Sequence, residues 1–542
     1  MRILFVSDAP WQASGYGQQT DMVTRAMVAD GHEVYVYAPG ALHEGEVPLA
    51  ENLTVLSSAY GDDRWGNMSL PWHMERVQPD LVITWLDAQG LIGYGRDHVP
   101  CYMWAPIDSQ PIPIMERDVL QRATKILVPS RWGQGILAEH GFDSEYVPCC
   151  IDLAALRIDP GARQRWRKRN GVQDDDWLIG MVGQNRGSPD RKGYAWAFDI
   201  LKEFMGRHAD VKAYLHTEPV GDQYAPNLTY LRMELGLLGR IDFPRQTGSY
   251  AWAGPWMAEM YNAFDVLLHC SLGEGFGVPI LEAQACGTPV VVNAATAVTE
   301  LSANGYQAQP SQWIWSTTIT KWALPDVSNL LEQLERAYAA RGDLNREAVR
   351  EFTLPYGARR VYEDCWRPVL AAVAPPLDYK AGERKLLLGA GRVRKAGYTH
   401  HDRDGLYPDI DVAHDLTVFP WPWADSSWDY VEAVDVLEHL ACDFTLVMDE
   451  LWRITAPGGY LMVHGPEVGS WQHTADPTHV RGFTLDSFDY WTERGWGKTY
   501  PYTTHKWETI RKLRDESGIT VVLRPLKPVA KEKQWLETSA TT

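Results

Sequence analysis

Glu274 and Glu282 stand with seven residues between them in the run Leu272-Gly273-Glu274-Gly275-Phe276-Gly277-Val278-Pro279-Ile280-Leu281-Glu282-Ala283. The run reads as a strand end, a glycine-rich loop and a helix beginning near Val278, which Gly287 stops before a strand at Val290 to Asn293. The first N–H groups of a helix have no partner inside it, and here they aim at the loop. Such an end is an anion site suited to a diphosphate. Gly273, Gly275 and Gly277 free the backbone to approach a ligand. About one turn into the helix, Glu282 can accept hydrogen bonds from a ribose diol, while Glu274, outside it, can face a sugar hydroxyl. The competing reading is a plain loop-to-helix join whose carboxylates face solvent.

Other chemistry-bearing residues follow strands, where open α/β sheets bind ligands. Ser14-Gly15-Tyr16-Gly17 comes after the strand Ile3 to Ser7. Leu386-Leu387-Leu388-Gly389-Ala390-Gly391 ends another strand, and Asp402 follows 11 residues after its last glycine. Gly389 and Gly391 at a strand-to-helix turn admit a nucleoside close to the backbone, and Asp402 can take its ribose hydroxyls. Asp108, in Tyr102-Met103-Trp104-Ala105-Pro106-Ile107-Asp108-Ser109, can orient an acceptor hydroxyl; a structural loop cap is the alternative.

Holding these residues requires a repeated strand–loop–helix scaffold. Short β-branched runs alternate with amphipathic stretches, the pattern of parallel sheets covered by helices. Strands are expected at Ile3 to Ser7, Glu33 to Ala38, Leu81 to Trp85, Ile126 to Pro129, Leu178 to Gly183, Val211 to Leu215, Asp265 to His269 and Val290 to Asn293, with a first helix from about Gln18 to Asp30. The polar interval Asp152 to Asp176, with its basic run Arg163 to Arg169, reads as a solvated linker between two such halves. A closing helix runs to about Ala374, and a proline-bearing linker follows. The pattern then restarts with strands at Lys385 to Leu388, Trp428 to Val434 and Tyr460 to His464, and a helix from Asp443 to Thr455. The expected division is therefore 1-155, 156-374, a linker at 375-384, and 385-542.

At 542 residues the chain exceeds what one hydrophobic core organises, and 45% hydrophobic with 22% charged residues is a folded composition. No run approaches the length of a membrane span, and the apolar start is too short for a secretory leader, so a cytoplasmic location is expected. Lys plus Arg is 51 against 70 acidic residues, a formal charge of −19, which argues against stable nucleic-acid binding. Seven cysteines without a C-x-x-C pair fit reduced thiols better than disulfides or a zinc site. The 24 tryptophans suit sugar rings, although most tryptophans fill cores.

The run E-G-F-G-V-P-I-L-E-A, continuing into A-C-G-T-P-V, resembles the signature of the retaining family 4 glycosyltransferases. Lys125-Ile126-Leu127-Val128-Pro129-Ser130-Arg131-Trp132-Gly133 resembles that family's strand–"PS"–helix element. Val147-Pro148-Cys149-Cys150-Ile151-Asp152 resembles its entry to the interdomain linker, with Cys150 where glycine is usual. Val182-Gly183-Gln184-Asn185, followed by Pro189-Asp190-Arg191-Lys192-Gly193, resembles the strand and loop bearing the basic pair for the donor diphosphate. The resemblance covers roughly residues 1 to 374. It implies the GT-B architecture, two facing Rossmann-like domains with an N-terminal acceptor side and a C-terminal nucleotide-sugar side.

By this resemblance Glu274, Arg191, Lys192 and Asp108 are catalytic, and Gly15, Gly17, Asn185, Gly275, Phe276, Gly277 and Glu282 bind the donor. Arg191 and Lys192 would neutralise charge building on a departing nucleoside diphosphate. A phosphate oxygen would help deprotonate the incoming hydroxyl on the face the leaving group departs from, so configuration is retained without an enzyme nucleophile. Family members often have His near the position of Asp108, and none stands in Tyr102 to Ser109. No metal is expected: Asp402-Arg403-Asp404 and Asp409-Ile410-Asp411 imitate a metal-binding D-x-D but fall outside this stretch.

The order of Gly389-Ala390-Gly391, Val436-Leu437-Glu438-His439-Leu440 and Ala456-Pro457-Gly458-Gly459 resembles the class I S-adenosylmethionine-dependent methyltransferases. Thr455-Ala456 replaces the usual lysine before Pro457. The resemblance implies a third Rossmann-like domain holding S-adenosylmethionine through Gly389, Gly391, Asp402 and Asp415. Asp476-Pro477-Thr478-His479-Val480-Arg481 reads as an acceptor lining or a structural loop. The whole is expected to be an α/β bifunctional enzyme. It would take a nucleotide sugar as donor and a hydroxyl of a glycan, lipid-linked glycan, protein or modified nucleobase as acceptor, and then methylate the same product. The alternatives are a methyltransferase on a carbohydrate-binding scaffold, and a glycosyltransferase carrying an inert interaction domain.

Overall fold

The computed structural model describes residues 1–39, 41, 45–58, 65–95, 99–186, 190–221, 225–244, 255–302, 305–316, 319–373, 383–403, 407, 409–493, 496–500, 502–515 and 518–527. The chain divides into two compact units, Met1–Arg96 with Pro100–Pro375, and Pro376–Thr542 with Asp97–Val99. Most of the expected linker 375-384 lies outside the described residues.

The first unit contains two sheets. One is built from β1 (Arg2–Val6), β2 (Glu33–Tyr37), β3 (Glu46–Ala50), β4 (Leu53–Leu56), β5 (Leu81–Thr84), β6 (Cys101–Trp104), β7 (Lys125–Val128) and β8 (Glu145–Tyr146). Its order is β3-β4-β2-β1-β5-β6-β7-β8, with β3 antiparallel to β4 and the other neighbours parallel. The other holds β9 (Trp177–Val182), β10 (Val211–His216), β11 (Ile241–Asp242), β12 (Val266–His269), β13 (Val290–Asn293) and β14 (Gln307–Ala308). These are all parallel, in the order β11-β10-β9-β12-β13-β14. A hairpin of β15 (Gln312–Trp315) and β16 (Lys321–Leu324) completes the strands of this unit. Strand order reverses between β1 and β5 in one sheet and between β9 and β12 in the other, and at such points two loops diverge to leave a ligand crevice.

Crossover helices set the path of the chain out of each strand. The helix Gly15–Ala29 joins β1 to β2, capped by Ser14, whose hydroxyl accepts from the Gly17 N–H at 3.0 Å. It starts three residues before the expected Gln18, because Gly15-Tyr16-Gly17 is its first turn rather than a free loop. Tyr194–Arg207 joins β9 to β10, and Val278–Ala285 joins β12 to β13.

Residues 152 to 176 are not a solvated linker. Asp159 caps a helix Pro160–Asn170 that Gly171 ends in the left-handed region. Its Trp166 is buried against Tyr214 and Phe264. Arg163 and Arg167 turn inward to Asp265, at 2.6 and 3.2 Å, and both donate to the carbonyl of Ala263. The planar, five-donor guanidinium lets a basic run collect the carbonyls at a helix end instead of facing water.

The chain then returns to where it began. Helical residues run without a break from Ala358 through one π turn, Tyr362–Trp366, to Ala371. Trp366 meets Trp104 edge-on at 4.9 Å, and Trp104 stacks on Trp85 at 4.0 Å. Arg367 and the Tyr362 hydroxyl both donate to Asp30. Gln19 accepts from the Cys150 N–H and donates to its carbonyl, both at 2.8 Å. The residues before 155 and those after 352 thus share one apolar core.

The second unit is a seven-stranded sheet of β17 (Lys385–Leu388), β18 (Tyr398–Asp402), β19 (Val412–Ala413), β20 (Trp428–Val434), β21 (Thr455–Gly465), β22 (Trp507–Asp515) and β23 (Gly518–Pro525). Its order is β19-β18-β17-β20-β21-β23-β22, parallel except where β23 pairs with β21 and β22. The switch point lies between β17 and β20. Two expectations change here. Residues after Gly391 form turns that lead directly into β18, so Gly389 and Gly391 do not open a helix. Strand β21 begins at Thr455, and its pairing jumps from Trp428–Thr455 to Tyr430–Tyr460, so Pro457-Gly458-Gly459 bulges within the strand instead of preceding it. None of the seven cysteines is in a disulfide. No helix among the described residues is long and apolar enough to cross a membrane.

Candidate active site

The loops after β9 and β12 meet at the switch point of the second sheet. The first carries Arg191 and Lys192 and ends on Gly193, whose positive φ of 71° begins the helix Tyr194–Arg207. A Cβ on Gly193 would lie 2.2 Å from the Cys270 carbonyl oxygen, so only glycine lets this turn close against the end of β12. The Leu272 N–H donates to the Arg191 carbonyl at 2.8 Å and ties the two loops together.

Glu274 sits between the cations. Lys192 Nζ donates to Oε1 at 2.5 Å, Ser271 Oγ donates to the same oxygen at 2.6 Å, and Arg191 Nη1 reaches Oε2 at 3.3 Å. His269 Nε2 lies 3.5 Å from Oε1. Burial alone would raise the Glu274 pKa, but Lys192 and Arg191 outweigh it and hold the carboxyl well below the usual carboxylate range. Arg191 also donates to the Gly273 carbonyl at 2.8 Å and comes within 3.8 Å of Asp108 Oδ2 on the opposite half of the unit.

That opposite wall is acidic. Tyr16, in the first turn of its helix, donates to Asp87 Oδ1 at 2.6 Å, and burial foremost, then Asp87, pushes its hydroxyl pKa up. Burial also raises the Asp108 pKa, against the pull of Arg191. Half-buried Glu116 is pushed up to about 8 by desolvation, with Asp108 and Asp87 adding to the rise. Its carboxyl therefore keeps a proton near neutral pH that the unfolded chain has already lost. The stability this contributes is fully present below about pH 4.5 and disappears as pH rises through about 8. Relative to Glu116→Gln, the wild type is expected to lose about 1–2 kcal/mol between pH 5 and pH 8.5, a figure discounted for partial exposure. Urea midpoints of the two proteins at both pH values check this; parallel pH profiles would contradict it.

Glu274, Arg191, Lys192 and Asp108 thus gather around one crevice, with Gly15 in the turn that carries Tyr16. A Cβ on Gly15 would meet nothing within 4 Å, whereas one on Gly17 would strike the carbonyls of Gln12 and Ala9 at 2.3 and 2.8 Å. Gly17 is therefore a packing requirement. So are Gly273 and Gly275, whose Cβ atoms would lie 2.2 Å from the Asp108 carbonyl oxygen and 2.6 Å from Pro106. These glycines bring the loop against the opposite half, not only toward a ligand. Gly277, at φ 113°, caps the helix Val278–Ala285.

Three donor-binding candidates turn inward. Asn185 is buried and donates to the carbonyls of Glu218 and Pro226, so its amide braces the loop. The Phe276 ring is buried in the core against Tyr356. Glu282 is also buried, not solvated, and accepts from the Tyr261 hydroxyl at 2.7 Å, with burial raising its pKa. Sequence reasoning missed Tyr16, Asp87, Glu116, Ser271 and His269. Ser271 and His269 stand just before the glycine-rich run, and Tyr16 between the candidates Gly15 and Gly17; Asp87 and Glu116 carry no local pattern.

In the second unit Gly389 and Gly391 have φ of 58° and 50°, and the Gly391 N–H donates to Asp402 Oδ2 at 2.8 Å. A Cβ on Gly389 would lie 2.2 Å from Val436 Cγ2, which sets this loop against the one after β20. Asp402 also accepts from the Arg403 N–H. Asp415 accepts from the Thr417 N–H and hydroxyl, which lower its pKa. Asp404 lies outside the described residues.

Comparison with known proteins places the first unit. Residues 177–336 match the family model "Glycosyl transferases group 1". The chain is 27% identical over 245 residues to the D-inositol 3-phosphate glycosyltransferase of Mycolicibacterium smegmatis, an alignment covering 44% of this chain and 51% of that protein. The chain thus spans about half the length of this curated relative. Among solved structures, sucrose-phosphate synthase from Thermosynechococcus elongatus aligns with a TM-score of 0.55 at 16% identity, over 69% of this chain and all of that one. Anabaena Alr3699/HepE, solved in complex with UDP and glucose, aligns at 0.52 and 16% identity, over 68% of this chain and all of that one. Residues 177–336 thus resemble the group 1 glycosyltransferases, and the paired sheets of the first unit have the GT-B fold.

Proposed function

We propose that the first unit moves a sugar from a nucleoside diphosphate donor to a hydroxyl acceptor, with retention of anomeric configuration. The observation that carries this reading is Glu274 held between Lys192 and Arg191 at the switch point, with Asp108 facing Arg191 across the crevice. A donor diphosphate needs cations where its leaving oxygen gains charge, and Arg191 and Lys192 are already fixed by Glu274 and the Gly273 carbonyl. Prearranged donors need no reorganisation as the bond breaks. Glu274 also has hydrogen-bonding capacity for a sugar hydroxyl. Asp108 and half-buried Glu116 supply an oxygen-rich wall for the acceptor.

The probe of choice is UDP-glucose, since a structural relative was solved with UDP and glucose. Full-length protein is expected to melt at a higher temperature with it or with another nucleotide sugar, by about 2.7 kcal/mol of added stability at a hundred times the dissociation constant. Nucleoside diphosphate release should accompany the shift. Absence of both with every nucleotide sugar refutes the reading.

For the second unit we propose S-adenosylmethionine binding and methylation of the same product. Support comes from the two glycines of positive φ at the switch point and from Asp402 at the end of the neighbouring β18. Calorimetric titration with S-adenosylmethionine tests it, and a folded protein giving no heat would select the inert interaction domain instead.

A further inference from the structure

We infer that the second unit holds a divalent transition-metal cation on Glu438, His439 and His479. A ligating atom from each of these residues lies within 4.8 Å of the other two. The first two stand on a short turn, Leu437–His439, that comes after β20 beside the switch point. His479 comes from a distant segment held there by the Val480 N–H, which donates to the Glu438 carbonyl at 2.9 Å, and by Arg481, which donates to the carbonyls of Leu440 and Cys442.

The hydrogen bonds around the imidazoles fix which nitrogen is free to ligate. Thr478 Oγ1 donates its proton to Asp476 Oδ1 at 2.6 Å, so toward His439 Nδ1, 2.9 Å away, it is the acceptor. His479 Nδ1 faces the His473 carbonyl at 3.2 Å, and a carbonyl can only accept. Nδ1 of each ring therefore carries a hydrogen, which leaves Nε2 as the nitrogen that can ligate; on His479 that atom lies 3.8 Å from Asp476 Oδ2. Orientation by a hydroxyl–carboxylate relay on one ring and a carbonyl on the other is how metal-binding imidazoles are held.

Glu438 supplies the independent sign. It is fully buried, and neither carboxylate oxygen has a hydrogen-bond partner. Burying two unsatisfied carboxylate oxygens is strongly unfavourable unless a cation or proton meets them. Asp435, which opens the turn, has a φ of 51°, a conformation that redirects the chain as it leaves β20.

Two imidazoles and one carboxylate suit zinc, manganese or iron rather than calcium, and three protein ligands leave further positions for an oxygen of a substrate. The assignment of the metal does not rest on the proposed methyl transfer; only its use by a substrate would.

The test uses the full chain, stripped with EDTA and desalted, then titrated separately with Zn²⁺, Mn²⁺ and Co²⁺ by calorimetry, with the visible absorption of Co²⁺ as a second readout. One equivalent per chain is expected to bind, with affinity at least about tenfold weaker in Glu438→Gln and in His479→Gln. The Co²⁺ spectrum should change in both. His208→Gln, which alters a histidine paired with Glu335 in the first unit, should bind as wild type does. Far-UV circular dichroism establishes that each variant is folded. Absence of stoichiometric binding to folded wild type, or unchanged binding in both site variants, overturns the inference. Neither outcome involves a sugar donor or S-adenosylmethionine, so failure here is distinguishable from failure of the proposed reactions.

Discussion

Glu274→Gln is expected to lower sugar transfer by about 10²–10³-fold, the range seen when one preorganised group is removed from a charge-stabilising site. The substitution keeps the side chain's size, removes the charge that Lys192 and Arg191 now share, and turns one accepting oxygen into a donating NH2. Those two cations are left beside a neutral amide and repel one another, so their positions at the diphosphate loosen. Lys192→Ala should reach a similar loss from the other side, leaving Glu274 with Arg191 as its remaining strong partner. Because the three residues act as one unit, the double variant should be little worse than either single one. Initial rates at saturating donor measure all three. Near wild-type rates in Glu274→Gln, or strictly multiplicative losses, would remove the cluster from the chemistry.

Trp104→Ala is expected to destabilise the first unit by about 3–5 kcal/mol, as large aromatic truncations in cores do. Trp104 has no exposed surface, stacks on Trp85, meets Trp366 edge-on and donates through Nε1 to the Val147 carbonyl at 2.8 Å. Removing the ring opens a cavity among three segments and leaves the Val147 carbonyl without this donor. Two units make a single unfolding free energy ill-defined, so the measurement is the urea transition of tryptophan fluorescence followed beside a circular-dichroism transition for the whole chain. A shift below about 1 kcal/mol would mean that the three segments do not depend on one another.

Many of the central strands were legible in the sequence because parallel strands covered on both faces read as uninterrupted apolar runs. Val290–Asn293 and Trp428–Val434 match the expectation residue for residue. The crevice residues Glu274, Arg191 and Lys192 were legible through glycine spacing and resemblance. What stayed hidden was direction. Arg163 and Arg167 look like surface charge in a basic run, yet Asp265, a distant residue, draws both inward. Asn185, Phe276 and Glu282 belong to a recognisable motif, and only packing shows that Glu218, Tyr356 and Tyr261 occupy their side chains. Gly273 and Gly275 were read as room for a ligand, whereas Pro106 and the Asp108 carbonyl account for them. Asp87 and Glu116 obey no spacing rule, because Asp87 comes near Arg191 only once the two halves of the unit pack together, and Glu116 is brought near Asp108 and Asp87 by folding.

The return of Trp366, Tyr362 and Arg367 to the first sheet bears on synthesis of the chain. Translation proceeds from the amino terminus, so β1 to β8 leave the ribosome long before Ala358–Ala371 exists. Until then Trp104 lacks Trp366, Asp30 lacks its guanidinium, and the Ile151 N–H lacks the Tyr356 carbonyl it donates to at 2.9 Å. The first sheet therefore cannot finish folding while nascent. It waits for the second sheet and the helical end Ala358–Ala371 to emerge and pack against it, and during that interval the apolar residues they cover stay exposed.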